Sequence, residues 1–128
     1  MAPRPLDPVL VVDDNAETRE VLKMVLEVSG YTVALARDGS EAIEYLRSGK
    51  AASLVILDLL MPVMDGWTFL KVLRGFPTLA VIPVVAFSAV VEDDIPGTVA
   101  SIRKSKLNPD LFLSIIERAC LKAAPSTH

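Results

Sequence analysis

The amino-acid sequence predicts an α/β domain, a doubly wound five-stranded parallel sheet in a three-layer αβα arrangement. Three observations carry this. Short apolar runs alternate with helical stripes along the whole chain and no internal repeat interrupts them, a pattern that calls for right-handed crossovers about a parallel sheet. The composition is 52% hydrophobic but only 5% aromatic, so the core is built from Val, Leu, Ile and Ala, as suits strands covered on both faces. A length of 128 residues fits one domain, and such a chain buries roughly two thirds of its unfolded surface.

Val9-Leu10-Val11-Val12 reads as a buried strand that ends abruptly at Asp13-Asp14. A helix follows with Val21, Leu22, Val25 and Leu26 on one face and Ser29-Gly30 as its stop. Tyr31 to Ala36 is the second strand. Asp38-Gly-Ser-Glu41 has the capping-box spacing and opens a helix carrying Ala42, Ile43 and Leu46, with Gly49 past its end. Leu54 to Leu57 is the third strand and stops at Asp58. Asp65 caps a third helix with Phe69, Leu70, Val72 and Leu73, which ends near Gly75 and Pro77. Val81 to Phe87 is the fourth strand, ending at Ser88, with Pro83 near its start because proline donates nothing to the ladder. The fourth helix, Val90 to Gly97, is short or irregular: it is acidic and broken by Pro96. Val99 to Arg103 is a weak fifth strand. Asn108 and Pro109 open the last helix, with Leu111, Phe112, Ile115, Ile116 and Ala119 as its apolar positions.

Thirteen basic against sixteen acidic residues give a net charge of −3, which argues against direct nucleic-acid binding. The one cysteine, Cys120, has no partner for an internal disulfide and falls in an apolar helical pattern. It is expected to be a buried, inert thiol in a reducing cytoplasm. The opening residues are too polar and proline-rich for a signal peptide, and no apolar run reaches the roughly 20 residues of a membrane span. Residues 1–7 are expected to be a flexible N-terminal segment, 8–122 the domain and 123–128 a C-terminal tail.

In parallel α/β sheets, ligands bind outside the carboxyl ends of the strands. Those ends carry Asp13 and Asp14 from the first strand, Asp58 from the third, Ser88 from the fourth and Lys104 from the fifth. Carboxylates packed within about 4 Å repel by some 4 kcal/mol per pair at an effective dielectric near 20, so such a cluster needs a cation. Hard oxygen ligands that share a phosphate are the Mg2+ pattern. One carboxylate can then attack phosphorus in line, while an amine and a hydroxyl take the remaining phosphoryl oxygens. Each residue alone has a plainer reading: Asp-Asp as a turn, Asp58 as a loop acid, Ser88 as a strand-end hydrogen bonder, Lys104 as a surface charge. Their joint placement is what points to phosphoryl chemistry.

Four stretches resemble the receiver domains of two-component (phosphorelay) signalling, over roughly Pro8 to Lys122. They are Val9-Leu-Val-Val-Asp-Asp14, Ala36-Arg-Asp-Gly-Ser-Glu-Ala-Ile43, Leu54 to Gly66 with Met61-Pro62 and Met64-Asp65-Gly66, and Pro83-Val-Val-Ala-Phe-Ser-Ala89. The resemblance implies a flavodoxin-like fold with sheet order 2-1-3-4-5. It implies Asp58 as phosphoacceptor, Asp14 as a direct Mg2+ ligand, Asp13 as a ligand through water, and the carbonyl of Leu60 as a backbone ligand. Ser88 corresponds to the hydroxyl that bonds the phosphoryl group. The implied donor is a histidine kinase or histidine phosphotransfer protein, and the output is an unidentified downstream protein or output domain. Such a domain catalyses its own phosphorylation and is not a turnover enzyme. His128, the sole histidine, lies in the tail and is no internal donor. A stand-alone regulator and a receiver within a longer protein both fit, and a homodimer is left open.

The chain departs from the family around its fifth strand, where Ile102-Arg-Lys-Ser-Lys-Leu-Asn-Pro109 stands for the usual Lys-Pro. Lys104 and Lys106 both keep the family's seven-residue distance to an apolar position of the last helix, Leu111 and Leu113 respectively. Lys104 is favoured, because Ile102 then fills the apolar position before it and Leu107 can pack ahead of the Asn108 cap. Ser105 replaces the family's proline, and Ser101 stands where many members carry a switch aromatic. Leu60 and Val90, apolar at the positions that flank attacking water, predict slow self-dephosphorylation. The irregular lysine region and the missing aromatic leave a second reading, a pseudo-receiver that is never phosphorylated; a more remote alternative, which shares the aspartyl-phosphate chemistry, is a Mg2+-dependent aspartyl-phosphate phosphohydrolase. Against the second, Asp14 is followed by Asn15-Ala16 and no second acid stands two residues on. A flavin site lacks its phosphate cradle in the first loop.

Overall fold

The computed structural model describes residues 7–89, 95–106 and 108–123. In chain order these form β1 (Val9–Val12), α1 (Ala16–Val28), β2 (Val33–Ala36), α2 (Gly39–Arg47), β3 (Leu54–Leu57), α3 (Gly66–Arg74), β4 (Val84–Ser88), β5 (Ala100–Arg103), a 3-10 turn at Lys104–Lys106 and α4 (Pro109–Ala123). The five strands make one sheet in the order β2-β1-β3-β4-β5, and every pairing is parallel. Val12 pairs with Ala36 on one side and Leu57 on the other, so β1, β2 and β3 end level. That register brings Asp13 and Asp58 to one edge.

Successive side chains of a strand point to opposite faces, and the core divides accordingly. Leu10, Val12, Val55 and Leu57 pack with Ala42, Ile43 and Leu46 of α2 and Phe69, Leu70 and Leu73 of α3. Val9, Val11, Leu54 and Ile56 pack on the other face with Leu22 and Leu26 of α1 and Phe112, Ile116 and Ala119 of α4. Full burial of each such aliphatic side chain contributes about 1.5–3 kcal/mol. These residues hold the strand ends in place.

Each helix start is a sequence decision. Asn15 Oδ1 accepts from Thr18 N at 3.0 Å, Asp38 Oδ1 from Glu41 N at 2.8 Å, Asp65 Oδ1 from Thr68 N at 2.8 Å, and Asn108 Oδ1 from Asp110 N at 3.0 Å. Each satisfies a first-turn donor that the helix itself cannot. The capping box at α2 is displaced by one residue: Glu41 accepts from Arg37 N at 3.0 Å, not from the cap residue, and pairs with Arg37 Nε at 3.2 Å. Gly49 follows α2 at φ 93°, the left-handed conformation glycine adopts without strain.

Several expectations are corrected. The second strand begins at Val33, not Tyr31, and the fifth at Ala100, not Val99. The fourth begins at Val84, because Leu79 to Ile82 are turned back by bonds such as Ile82 N to Leu79 O at 3.0 Å, leaving Val81 exposed and Pro83 ahead of the ladder. Val21 and Leu111 sit at apolar helical positions yet are exposed, because each lies outside the stripe its helix buries. Cys120 is only half-buried; burial, with the Glu117 charge adding to it, raises its thiol pKa, which disfavours the reactive thiolate. Val90–Asp94 of the expected fourth helix lie outside the described residues, as do Leu107 and His128. Ile95 to Gly97 form a turn, so among the described residues no helix stands between β4 and β5.

Candidate functional site

Asp13, Asp14 and Asp58 each bring a carboxylate oxygen to one place, with all three oxygens within 4.8 Å of one another. Asp13 follows β1, where its N–H continues the ladder to Ala36 O at 3.1 Å. Asp58 follows β3 and donates its N–H to Val12 O at 2.9 Å. Both are buried, at 1% and 4% exposure, whereas Asp14 faces solvent. Two groups sit deep at the sheet edge and one forms the mouth.

The Asp58 carboxylate is held from several directions. Oδ1 accepts from Ser88 Oγ at 2.9 Å and from Leu60 N at 3.2 Å. Oδ2 accepts from Lys104 Nζ at 3.3 Å. The same ammonium lies 2.7 Å from Asp13 Oδ2, an oxygen that is buried and receives no well-formed hydrogen bond. Burial pushes the Asp13 carboxyl above its ordinary value, and the nearby Lys104 ammonium and the bond from Asn15 N only partly offset this. Burial alone would lower Lys104, but Asp13 and Asp58 outweigh it and raise that ammonium. The carboxylate is the more deeply buried partner of the pair, 2% exposed against 24%, so desolvation acts most on it.

Every residue expected at the site is accounted for. Asp13, Asp14, Asp58, Ser88 and Lys104 converge. Leu60 stands at the rim, half-exposed, with its N–H on Asp58. Lys104 opens the 3-10 turn, its Nζ 6.0 Å from the centre of the Phe87 ring. The Lys106 side chain lies outside the described residues. Two contributors had no role assigned from the sequence, although one, Gly66, stands in the Met64-Asp65-Gly66 stretch. Gly66, at the start of α3, donates its N–H to Leu59 O at 2.9 Å, and a Cβ there would stand 2.7 Å from Leu59 Cα and 2.8 Å from Asp58 O. The Asp65-Gly66 pair held that signal. Arg19 Nη1 donates to Asp13 O at 2.7 Å, a bond no spacing rule announces.

Oxygen donors alone, a buried Asp13 oxygen that is ion-paired to Lys104 but receives no well-formed hydrogen bond, and three carboxylates within reach of one point suit a hard divalent cation. The Mg2+ implied by the sequence fits this donor set.

Comparison with known proteins agrees with this geometry. Residues 9–104 match the profile of the response regulator receiver domain. The chain belongs to that family. Among relatives, the response regulator MprA of Mycobacterium ulcerans is 46% identical over 67 residues, 52% of this chain and 28% of that protein. The receiver domain thus spans well under half the length of that relative. A signal receiver domain of a signal transduction histidine kinase from Syntrophus aciditrophicus superposes with a TM-score of 0.80 at 30% identity, covering 95% of both chains. The response regulator protein TrrA of Thermotoga maritima, in complex with Mg(2+)-BeF, gives 0.79 at 27% identity, covering 89% of this chain and 99% of that one. The receiver domain therefore has the five-stranded order expected of it. No helix of its described residues is long and apolar enough to cross a membrane.

Proposed function

We propose that this receiver domain is a phosphorylation-dependent signalling switch that takes a phosphoryl group onto Asp58, with Mg2+, from a histidine kinase or histidine phosphotransfer protein. One observation carries the reading: the Asp58 carboxylate, 4% exposed, receives donors from Ser88, Leu60 and Lys104 and lies beside the Asp13 and Asp14 oxygens. Asp14 and Asp58 would hold Mg2+ directly, Asp13 through water, and Leu60 through its carbonyl. When bound, the ion supplies charge neutralisation among the carboxylates and polarises phosphoryl oxygens.

The residues of the chain do the rest. An Asp58 carboxylate oxygen attacks phosphorus in line; the O–P bond forms as the donor's P–N bond breaks, and the imidazole leaves with the electron pair. Lys104 and Ser88 turn from Asp58 to the phosphoryl oxygens and stabilise their charge. A cleft of 260 Å³ lined by Asn15, Thr18, Val21, Phe87 and Lys104 opens beside them as an approach for the donor. The acyl phosphate then alters the surface offered to a downstream protein or output domain, with residues 8–122 as the switching unit, in the cytoplasm and without direct nucleic-acid contact. A homodimer is compatible with the exposed apolar residues of α1 and α4. The apolar Leu60 at the rim favours a long-lived phosphoryl group; Val90, its counterpart, lies outside the described residues.

The test is incubation with acetyl phosphate and Mg2+ followed by intact mass measurement. The protein gains one phosphoryl mass, and Asp58→Asn gains none. No gain on the unmodified protein identifies a pseudo-receiver, a reading that Ser101 and the absent Lys-Pro keep in view. Continuous release of phosphate identifies a hydrolase. A phosphorylated half-life of seconds contradicts the role assigned to Leu60.

A further inference from the structure

The geometry points to Arg19 as a positioning residue for the metal ligand Asp14, acting through the peptide unit that joins Asp13 to Asp14. This rests on the Mg2+ reading above and goes beyond it. The Asp13–Asp14 turn carries two of the three carboxylates. Asp13 is tied on two sides: its N–H donates to Ala36 O at 3.1 Å, and its Oδ1 accepts from Asn15 N at 2.8 Å. Asp14 has no such support, for its side chain is exposed and accepts no hydrogen bond from the described residues. What fixes its carboxylate is the orientation of its own backbone, and that is set by the peptide plane beginning at the Asp13 carbonyl.

Arg19 holds that carbonyl. It lies in the first turns of α1, is half-buried, and reaches back six residues to donate Nη1 to Asp13 O at 2.7 Å. Its own helix is anchored in the same turn, since Arg19 N donates to Asn15 O at 3.1 Å and Asn15 caps α1. The result is a closed loop of bonds from Asp13 through Asn15 and Arg19 back to Asp13. Without the guanidinium, the Asp13–Asp14 peptide loses the one bond its carbonyl oxygen receives among the described residues, and the Asp14 carboxylate gains freedom. Partners behind a ligand typically govern metal affinity by 10–100-fold.

Two roles for Arg19 predict opposite signs. The guanidinium is permanently charged, so if it acted on the site only as a charge, removing it would relieve repulsion and tighten Mg2+ binding. If it positions Asp14, removing it weakens binding. Arg19→Gln keeps much of the aliphatic stem and removes the charge and the reach. In a Mg2+ titration followed by the amide resonances of residues 13–15 and 58–60, Arg19→Gln is expected to bind about tenfold more weakly. Arg19→Lys, which keeps a charged donor, recovers part of the loss. The metal-free thermal midpoint, measured alongside, shows whether the fold itself is weakened. Unchanged or tighter binding by Arg19→Gln overturns the assignment. Absence of any Mg2+ response in the unmodified protein overturns the metal reading instead, and Asp14→Asn as a non-binding control separates the two. Should Arg19→Gln fail to fold, the guanidinium resonances of the unmodified protein decide. A bonded Nη signal that shifts with the same Mg2+ midpoint as the Asp14 amide supports the assignment, and one indifferent to Mg2+ overturns it.

Discussion

β1 and β3 deliver Asp13 and Asp58 from strands in which every residue is buried, whereas β5 delivers Lys104 from an edge strand whose residues run half-buried, half-buried, buried and exposed. On the first side, the ladder runs unbroken on both flanks of β1. On the other side, β5 pairs with β4 alone in the sheet. A turn at Ile95–Gly97 stands before it, Gly97 has φ 92°, and a 3-10 turn follows it. The proposed capture of a phosphoryl group needs carboxylates held in one geometry, and a close-packed core provides that. Passing the event on needs an element able to move, and such elements come from the less stable parts of a fold.

Native-state hydrogen exchange tests this contrast with the largest expected effect. The amides of Val55 to Leu57 should open only with global unfolding, on the order of 5–15 kcal/mol for a domain, and those of Ser101 to Arg103 several kcal/mol sooner. Equal protection would remove the distinction. Within the rigid side, Gly66→Ala is next in size. Helix propensity alone predicts a gain of up to about 1 kcal/mol. The Cβ would meet backbone at 2.7 and 2.8 Å, so a net loss of about 1–3 kcal/mol is expected in urea denaturation, and a gain would show that α3 is free to retreat from Asp58.

Asp65→Ala removes a cap and should cost about 1 kcal/mol at neutral pH. The backbone bond from Thr68, then its side chain, hold the Asp65 carboxyl below its ordinary value of 3.8. A lowered carboxyl contributes stability above the unfolded value and loses it as pH falls through the folded one. The difference between variant and unmodified protein should therefore shrink in strong acid; a constant difference would place the effect elsewhere. The smallest effect concerns Val63, a β-branched residue at φ 70° with 85% exposure in the loop after Asp58. Its positive φ, in a γ-turn closed by Met64 N donating to Pro62 O at 2.8 Å, costs about 1–2 kcal/mol, from which glycine's extra unfolded entropy returns about 0.4–1. Val63→Gly should stabilise by about 0.5–1 kcal/mol, measured by thermal denaturation, and destabilisation would mean that the side chain is held by contacts of its own.

Much of the site was legible because a parallel sheet sends every strand's carboxyl end to one edge. Once Val9–Val12 and Leu54–Leu57 read as strands, Asp13, Asp14 and Asp58 had to meet. The fold was legible for a related reason: in the three fully buried strands the apolar runs are continuous, and polar caps mark the helix starts. What escaped depended on tertiary geometry. Val81 and Ile82 read as strand because turn bonds to Phe76 and Leu79 leave no trace in hydrophobicity. Val21 and Leu111 obey helical spacing, yet nothing in spacing says how wide a stripe the neighbouring elements cover. The strain at Val63 and the reach of Arg19 to Asp13 follow from loop paths that composition does not encode.

Asp58 is the proposed acceptor of the phosphoryl group. The most direct measurement is phosphorylation with acetyl phosphate and Mg2+, borohydride reduction of the acyl phosphate to the alcohol, and peptide sequencing by mass spectrometry. Homoserine is expected at position 58, with intact aspartate at 13 and 14. Reduction at Asp13 or Asp14, or at none of the three, would contradict that assignment.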